Sequence, residues 1–148
     1  MDRIKVVIAD DSAWIRYIIR GMLAEHPMIQ VVGEAQNGAE ALDLVADHSP
    51  DVLVLDMEMP ALNGLDVIER LKKDGSKVRV LVLSAFDDSY YIQGVLDFGA
   101  AGYLTKDEFL EGKDAWRQFV EAVQRAAIGE NGILGKRVAR RLTNGGMA

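Results

Sequence analysis

Short runs of apolar residues alternate along the chain with longer stretches in which apolar residues recur every three or four positions. The runs at 4–9, 30–35, 51–55 and 78–83 predict buried strands, and a weaker run at 102–105 predicts a fifth. The first, third and fourth runs are almost continuous in Val, Ile and Leu instead of alternating. This composition is typical of parallel strands that are covered on both faces of a sheet.

The stretches between the runs have the spacing of amphipathic helices. Ile15, Ile19 and Met22 lie on one face of a helix, and similar spacing recurs around Leu42, Ile68, Val95 and Phe119. Five repeats of strand then helix indicate a parallel sheet with helices on both faces, and they are too few for an eight-stranded barrel. We therefore predict an α/β protein with a doubly wound, five-stranded parallel sheet of strand order 2-1-3-4-5.

Polar residues stand where the predicted strands end. Asp10 and Asp11 follow the first strand, Asp56 follows the third, Ser84 the fourth and Lys106 the fifth. Ligands of doubly wound sheets bind outside the carboxyl ends of the strands. We therefore expect one shallow crevice that contains three carboxylates, a hydroxyl and an ammonium group.

This set of groups suits phosphoryl transfer. Three neighbouring carboxylates repel one another, and oxygen ligands without Cys or His suit a hard cation such as Mg²⁺. A carboxylate can act as a nucleophile and form an aspartyl phosphate. A lysine can neutralise the phosphate charge, and a hydroxyl can donate to a phosphoryl oxygen. Since no histidine or second base follows these strands, a hydrolase is disfavoured.

Each residue also has a purely structural interpretation. Asp11 or Ser12 could cap the first helix, a common use of both residue types. Asp56 could close a turn. Ser84 could bond to the backbone, and Lys106 could be a solvated charge. The occurrence of the whole set on adjacent strand ends favours a common function over these separate explanations.

Charge and composition exclude several other functions. The net charge is −6, but residues 133–148 carry four basic residues and no acidic ones, so the rest of the chain is −10. An acidic body disfavours direct binding to nucleic acids or anionic membranes. The absence of cysteine excludes disulfides and thiolate chemistry. No signal peptide and no apolar stretch of bilayer-spanning length is evident, so we expect a cytoplasmic protein without a membrane partner.

The chain resembles the receiver domain of two-component response regulators over about residues 4–128. The resemblance rests on the Asp10-Asp11 pair and on three phrases: PDVLVLDMEMPALNGLD at 50–66, LSA at 83–85 and GAAGYLTKD at 99–107. It implies a flavodoxin-like fold and phosphorylation by a sensor histidine kinase. It also implies a signalling domain that is not an enzyme and catalyses only its own phosphorylation and dephosphorylation.

The resemblance assigns roles to individual residues. Asp56 matches the phosphoryl acceptor, and Lys106 and Ser84 match the catalytic lysine and hydroxyl. Asp11 and Asp56 would bind Mg²⁺ directly, together with the backbone carbonyl of Met57, and Asp10 would act largely through water. Many receivers have Lys-Pro, often with a cis bond, where this chain has Lys106-Asp107. The geometry of that bond stays open.

The resemblance also implies a conformational switch. When the Ser84 hydroxyl moves towards the phosphoryl group, Tyr103 would fill the space that this movement opens. The pair would remodel the face formed by the fourth helix, the fifth strand and the fifth helix, the helix around Phe119. A homodimer can form through such a face. Alternatively, Tyr103 is a half-buried aromatic residue of an edge strand.

We divide the chain into a receiver domain, residues 1–128, and a basic linker or tail, residues 129–148. The phrases GYLTKD and AAIGENGILGKRVARRL resemble NarL/FixJ-type regulators, in which a linker leads to a LuxR-type helix-turn-helix domain. We expect such an effector after residue 148, controlling transcription and providing the contact with DNA. The alternatives are the receiver of a chemotaxis methylesterase, suggested by DMEMP at 56–60, a stand-alone receiver acting by protein contact, and a receiver that no longer accepts phosphate.

Overall fold

A computed structural model describes residues 2–145 as a parallel sheet with helices on both faces. The six strands are β1 (Ile4–Ala9), β2 (Ile29–Ala35), β3 (Val52–Leu55), β4 (Arg79–Ser84), β5 (Gly102–Thr105) and β6 (Ile133–Leu134). Their order is β2-β1-β3-β4-β5-β6. The predicted fold class and the order of the first five strands are confirmed, but the predicted count of five strands is wrong because β6 extends the sheet beyond β5.

Seven helices surround the sheet within the described range: α1 (Ala13–Ala24), α2 (Gly38–His48), α3 (Gly64–Lys73), α4 (Ser89–Phe98), α5 (Lys106–Phe109), α6 (Lys113–Ala127) and α7 (Lys136–Gly145). α1 and α6 pack on one face, where Ile19 and Phe119 are buried against the sheet. α2, α3 and α4 pack on the other face, where Val45 and Ile68 are buried. Both faces of the central strands are therefore covered, as their continuous apolar composition requires.

The sheet register brings the predicted site residues together at the carboxyl ends of the strands. Ala9 pairs with Leu55 across β1 and β3, and Ser84 pairs with Thr105 across β4 and β5. The first residue beyond β3 stays close to the sheet, since the Asp56 N–H donates to the Ala9 carbonyl over 2.9 Å. The side chains that follow β1, β3 and β5 therefore emerge side by side.

Side-chain caps start several helices beside the carboxyl ends of the strands. Ser12 caps α1, because its hydroxyl accepts a hydrogen bond from the Ile15 N–H over 3.3 Å. Asn63 and Asp66 form a capping box at α3, in which each side chain bonds the other residue's backbone. The cap of α1 is thus Ser12 and not Asp11, which leaves the Asp11 carboxylate available for another role.

Residues 129–148 are predicted from the sequence as a basic linker or tail. The described part of this segment contains a strand and a helix, and residues 146–148 lie outside the described range. β6 pairs in parallel with β5, and Ile133 is buried on the α6 side of the sheet. Val138 of α7 is buried on the opposite side. A Cβ at Gly102 would lie 2.4 Å from the Ile133 carbonyl oxygen, so this pairing requires glycine in β5.

A short helix separates β5 from the helix around Phe119. This helix, α5, starts at Lys106, and the Lys106–Asp107 peptide bond is trans. The predicted fifth helix is therefore α6 in the structure. No helix within residues 2–145 combines the length and the apolar character needed to cross a bilayer.

Candidate acidic site

Asp56 occupies a buried position at the end of β3. Its side chain is only 1% exposed, and its Oδ1 accepts a hydrogen bond from the Glu58 N–H over 3.0 Å. Its Oδ2 forms an ion pair with Lys106 Nζ at 3.3 Å and has no other donor among the described residues. Buried polar atoms in proteins usually have well-formed hydrogen bonds. Since the Lys106 ammonium is its sole neighbouring donor within residues 2–145, Oδ2 is the oxygen that a ligand can engage.

Lys106 lies between two carboxylates. Its Nζ is 2.9 Å from Asp10 Oδ2 and 3.3 Å from Asp56 Oδ2, and its side chain is 18% exposed. The position follows from the fold, since Lys106 is the first residue of α5 and directly follows β5. The ammonium group thus forms ion pairs with the carboxylates that follow β1 and β3.

Asp10 and Asp11 complete the acidic cluster. Asp10 is 2% exposed, and its Oδ1 accepts from the Ser12 N–H over 2.9 Å. Asp11 is exposed to solvent. One carboxylate oxygen from each of Asp10, Asp11 and Asp56 can be chosen so that all three lie within 4.8 Å of one another. An all-oxygen set, in which the buried Asp56 Oδ2 has only the Lys106 ammonium as a neighbouring donor among the described residues, fits a hard divalent cation such as Mg²⁺.

The loop after Asp56 is fixed by a close backbone contact. The Met57 carbonyl accepts a hydrogen bond from the Gly64 N–H over 3.2 Å, and a carbonyl oxygen keeps a second lone pair for another partner. A Cβ at Gly64 would lie 2.7 Å from the Met57 Cα, so only glycine fits there. The carbonyl predicted as a metal ligand is therefore fixed by a hydrogen bond from the first residue of α3.

The electrostatics of the site follow from burial and charge. Burial raises the pKa of Asp56 from 3.8 to about 6; the Glu58 N–H and Lys106 oppose this rise, and Asp10 adds to it. Burial alone would lower the pKa of Lys106, but the carboxylates of Asp10 and Asp56 outweigh it and raise that pKa. At neutral pH the site thus contains a charged lysine beside the ionised carboxylate of Asp56, whose charged form is destabilised by burial.

The side chains of both predicted switch residues bond to the backbone of Phe86, and within residues 2–145 no hydrogen bond joins either of them to Asp56. Ser84 is fully buried, and its Oγ accepts from the Phe86 N–H over 3.1 Å. Tyr103 is also fully buried, and its hydroxyl donates to the Phe86 carbonyl over 2.8 Å. Because β6 covers the edge of β5, Tyr103 does not belong to an edge strand, and the half-buried interpretation does not apply.

Glu108 is a site residue that the sequence analysis missed. Its Oε2 accepts from the Thr105 N–H over 3.3 Å and from the Thr105 hydroxyl over 3.0 Å. Since Thr105 immediately precedes Lys106, Glu108 fixes the turn that carries the lysine. The signal is present in the sequence, because Thr105 and Glu108 have the spacing of a capping box.

The fold and the site define a doubly wound α/β protein with an acidic, lysine-containing crevice at the carboxyl ends of its strands. Residues 6–112 match the family model described as the response regulator receiver domain. The chain belongs to this family.

The names of two relatives indicate two different functions. The transcriptional regulatory protein DegU of Brevibacillus brevis is 39% identical over 106 residues, which cover 72% of this chain and 45% of DegU. A protein-glutamate methylesterase/protein-glutamine glutaminase of Geobacillus kaustophilus is 39% identical over 107 residues, covering 72% of this chain and 31% of that protein. The chain thus corresponds to less than half of each relative.

A solved structure agrees with the fold and the family. It is the signal receiver domain of the response regulator NarL from Mycobacterium tuberculosis, which is 34% identical to this chain. The superposition has a TM-score of 0.80 and covers 88% of this chain and 100% of that one.

Proposed function

We propose that this domain is the phosphoryl-accepting switch of a two-component system, and that Asp56 accepts the phosphoryl group from a sensor histidine kinase. The observation that carries the proposal is the Oδ2 of Asp56, which is buried next to Lys106 and belongs to one cluster with the carboxylates of Asp10 and Asp11. A nucleophilic carboxylate needs an oxygen that is not held by backbone donors, and nearby positive charge that can neutralise the incoming group.

In the proposed reaction, Asp56 Oδ2 attacks the phosphorus of the donor. The new O–P bond forms as the bond from phosphorus to the donor nitrogen breaks, and the donor keeps that electron pair. Lys106 neutralises charge on the transferred oxygens, while Ser84 turns its hydroxyl from Phe86 to donate to one of them. Asp11, Asp56 and the Met57 carbonyl would bind Mg²⁺ directly, with Asp10 acting through water. Mg²⁺, when bound, supplies the positive charge that lets two anions approach.

The proposed output is a change of surface. Movement of Ser84 would alter its contact with Phe86, and Tyr103 and α4 would adjust to the new position of that loop. Transcription control through a LuxR-type DNA-binding effector is the output we favour, because DegU is named a transcriptional regulator. Residues 1–128 would then form the receiver unit of a cytoplasmic regulator, which pairs through the α4, β5 and α6 face when active. DNA would contact the effector, and the receiver would have no membrane partner.

A second output is supported by one specific observation. The methylesterase of Geobacillus kaustophilus is as identical to this chain as DegU is, at 39%. A receiver attached to a methylesterase would use the same phosphorylation chemistry and be no enzyme itself. The third alternative, a stand-alone receiver, would act by protein contact alone.

Phosphorylation can be measured directly. Incubation with acetyl phosphate and Mg²⁺ is expected to add one phosphoryl group to the wild-type protein, detected by intact-mass spectrometry. Asp56→Asn is expected to remain unmodified, because an amide is a poor nucleophile. Asp47→Asn, which changes an exposed residue of α2, serves as the matched control and is expected to behave as wild type. Equal uptake by Asp56→Asn and wild type would refute the assignment.

A further inference from the structure

The last two elements of the described chain lie against the loops of the candidate site. We call β6 and α7, residues 133–145, the C-terminal clamp. β6 pairs with Gly102 and Tyr103 of β5, and the Gly135 N–H donates to the Tyr103 carbonyl over 3.1 Å. Val138 is fully buried in the same apolar cluster as Tyr103. The clamp therefore covers the side of β5 that carries the predicted switch residue.

The first turn of α7 is attached to the loop that carries Lys106. Glu108 Oε1 accepts a hydrogen bond from the Arg137 N–H, while the other oxygen of Glu108 accepts from Thr105. The Arg137 guanidinium lies 2.8 Å from Glu111 and 3.4 Å from Asp107. The Glu108 carboxylate thus joins the first turn of α7 to the residue that precedes Lys106.

The middle of α7 is attached to the loop after Ser84. Arg141 donates from Nε and Nη2 to Asp87 Oδ2, at 3.3 and 3.2 Å. Asp87 follows Phe86, the residue whose backbone binds both the Ser84 and the Tyr103 side chains. A movement of Ser84 that shifts Phe86 would therefore also shift the partner of Arg141.

The attachments of the clamp are individually weak. Arg141 and Asp87 have side chains that are 57% and 41% exposed, and ion pairs at such exposure contribute little to stability. β6 contains only two residues, and among residues 133–143 only Ile133, Gly135 and Val138 are buried. Segments with few buried contacts open at low free-energy cost. A small rearrangement of the two loops is therefore enough to change how tightly the clamp packs.

We propose that the C-terminal clamp is a switchable occupant of the β5 surface, packed when Asp56 is unmodified and loosened when Asp56 is phosphorylated. The proposal rests on Asp56 phosphorylation and adds the element that responds to it. It identifies residues 133–145 as the segment that moves when Asp56 is phosphorylated. Loosening would expose Val138 and uncover the β5 edge, and by linkage a weakened clamp would favour the phosphorylated state.

The protein's lack of cysteine allows a direct test. Val138→Cys introduces a single thiol that is buried when the clamp is packed, and its rate of modification by a thiol reagent measures opening. Beryllofluoride with Mg²⁺, standing in for the phosphoryl group, is expected to accelerate modification about tenfold, within the usual range of coupling between two sites. Ala41→Cys, buried on α2 against β2 at the opposite edge of the sheet from β6, is the control and is expected to keep its rate. Arg141→Ala in the Val138→Cys background is expected to accelerate modification only a few-fold without beryllofluoride, since an exposed ion pair contributes little to packing of the clamp.

The outcomes separate the two proposals. Phosphoryl uptake from acetyl phosphate is measured by intact mass on the same Val138→Cys protein. Uptake with an unchanged thiol rate would overturn the clamp proposal and leave the phosphoacceptor role in place. Absence of uptake in both this variant and the wild type would overturn the phosphoacceptor role and the clamp proposal with it. If circular dichroism shows that Val138→Cys is unfolded, Leu142→Cys, on the same face of α7, replaces it.

Discussion

Replacing Asp11 with alanine is expected to slow phosphorylation of Asp56 sharply while leaving the fold intact. Asp11 is exposed, and Ser12 rather than Asp11 caps α1, so the carboxylate can be removed without loss of a helix cap. Its proposed role is to hold the cation that screens the approach of two anions. Such screening is worth several kcal/mol, and about 1.4 kcal/mol changes a rate tenfold, so we expect a loss of about a hundredfold.

Two measurements examine this loss. Phosphorylation rates are compared at several Mg²⁺ concentrations, and Mg²⁺ affinity is measured separately by calorimetry on the unmodified protein. Asp47→Ala makes the same change of charge on the exposed surface of α2 and is expected to leave both quantities unchanged. Wild-type phosphorylation that proceeds undiminished in EDTA would show that the acidic cluster binds no required cation.

Replacing Asp56 with asparagine is expected to stabilise the metal-free protein at neutral pH. The pKa of Asp56 is raised from 3.8 to about 6, mainly by burial, so between these values the folded state binds a proton that the unfolded state has lost. Stability due to this group therefore falls as the pH rises from about 4 through about 6. Well above pH 6 the ionised carboxylate costs about 3 kcal/mol, which the neutral amide would recover.

The sign of this effect distinguishes a functional carboxylate from a structural one. Urea unfolding in EDTA at pH 7.5 is expected to show a gain of about 3 kcal/mol for Asp56→Asn, and at pH 4 most of that gain should be lost. The amide oxygen can still accept the bond from the Glu58 N–H, and Lys106 keeps its partner Asp10. A variant less stable than the wild type at pH 7.5 would indicate that the charge of Asp56 supports the fold.

The sequence predicts the sheet well because its central strands are buried on both faces. The predicted bounds of β1 and β5 agree with the structure, and those of β2, β3 and β4 differ by one residue. The site could be predicted for the same reason. Once the strand order is known, the register of parallel strands places Asp10, Asp56 and Lys106 side by side at the carboxyl ends of the strands.

The C-terminal clamp could not be predicted in the same way. β6 has only two residues between Gly132 and Gly135, and α7 has few apolar positions among its basic residues. Its packing depends on Glu108 and Asp87, which are distant in sequence and give no periodic signal. Side-chain direction is equally hidden, since no pattern shows that the Tyr103 hydroxyl bonds to Phe86.

The most direct test of the central claim is to locate the modified residue chemically. The full chain is incubated with acetyl phosphate and Mg²⁺ and treated with borohydride, which reduces an acyl phosphate to a stable alcohol. Peptide mass spectrometry then identifies the altered side chain. Reduction at Asp56, in the peptide that contains DMEMP, is the expected result. Reduction at Asp10 or Asp11 with Asp56 unmodified would contradict the assignment of Asp56 as the phosphoryl acceptor.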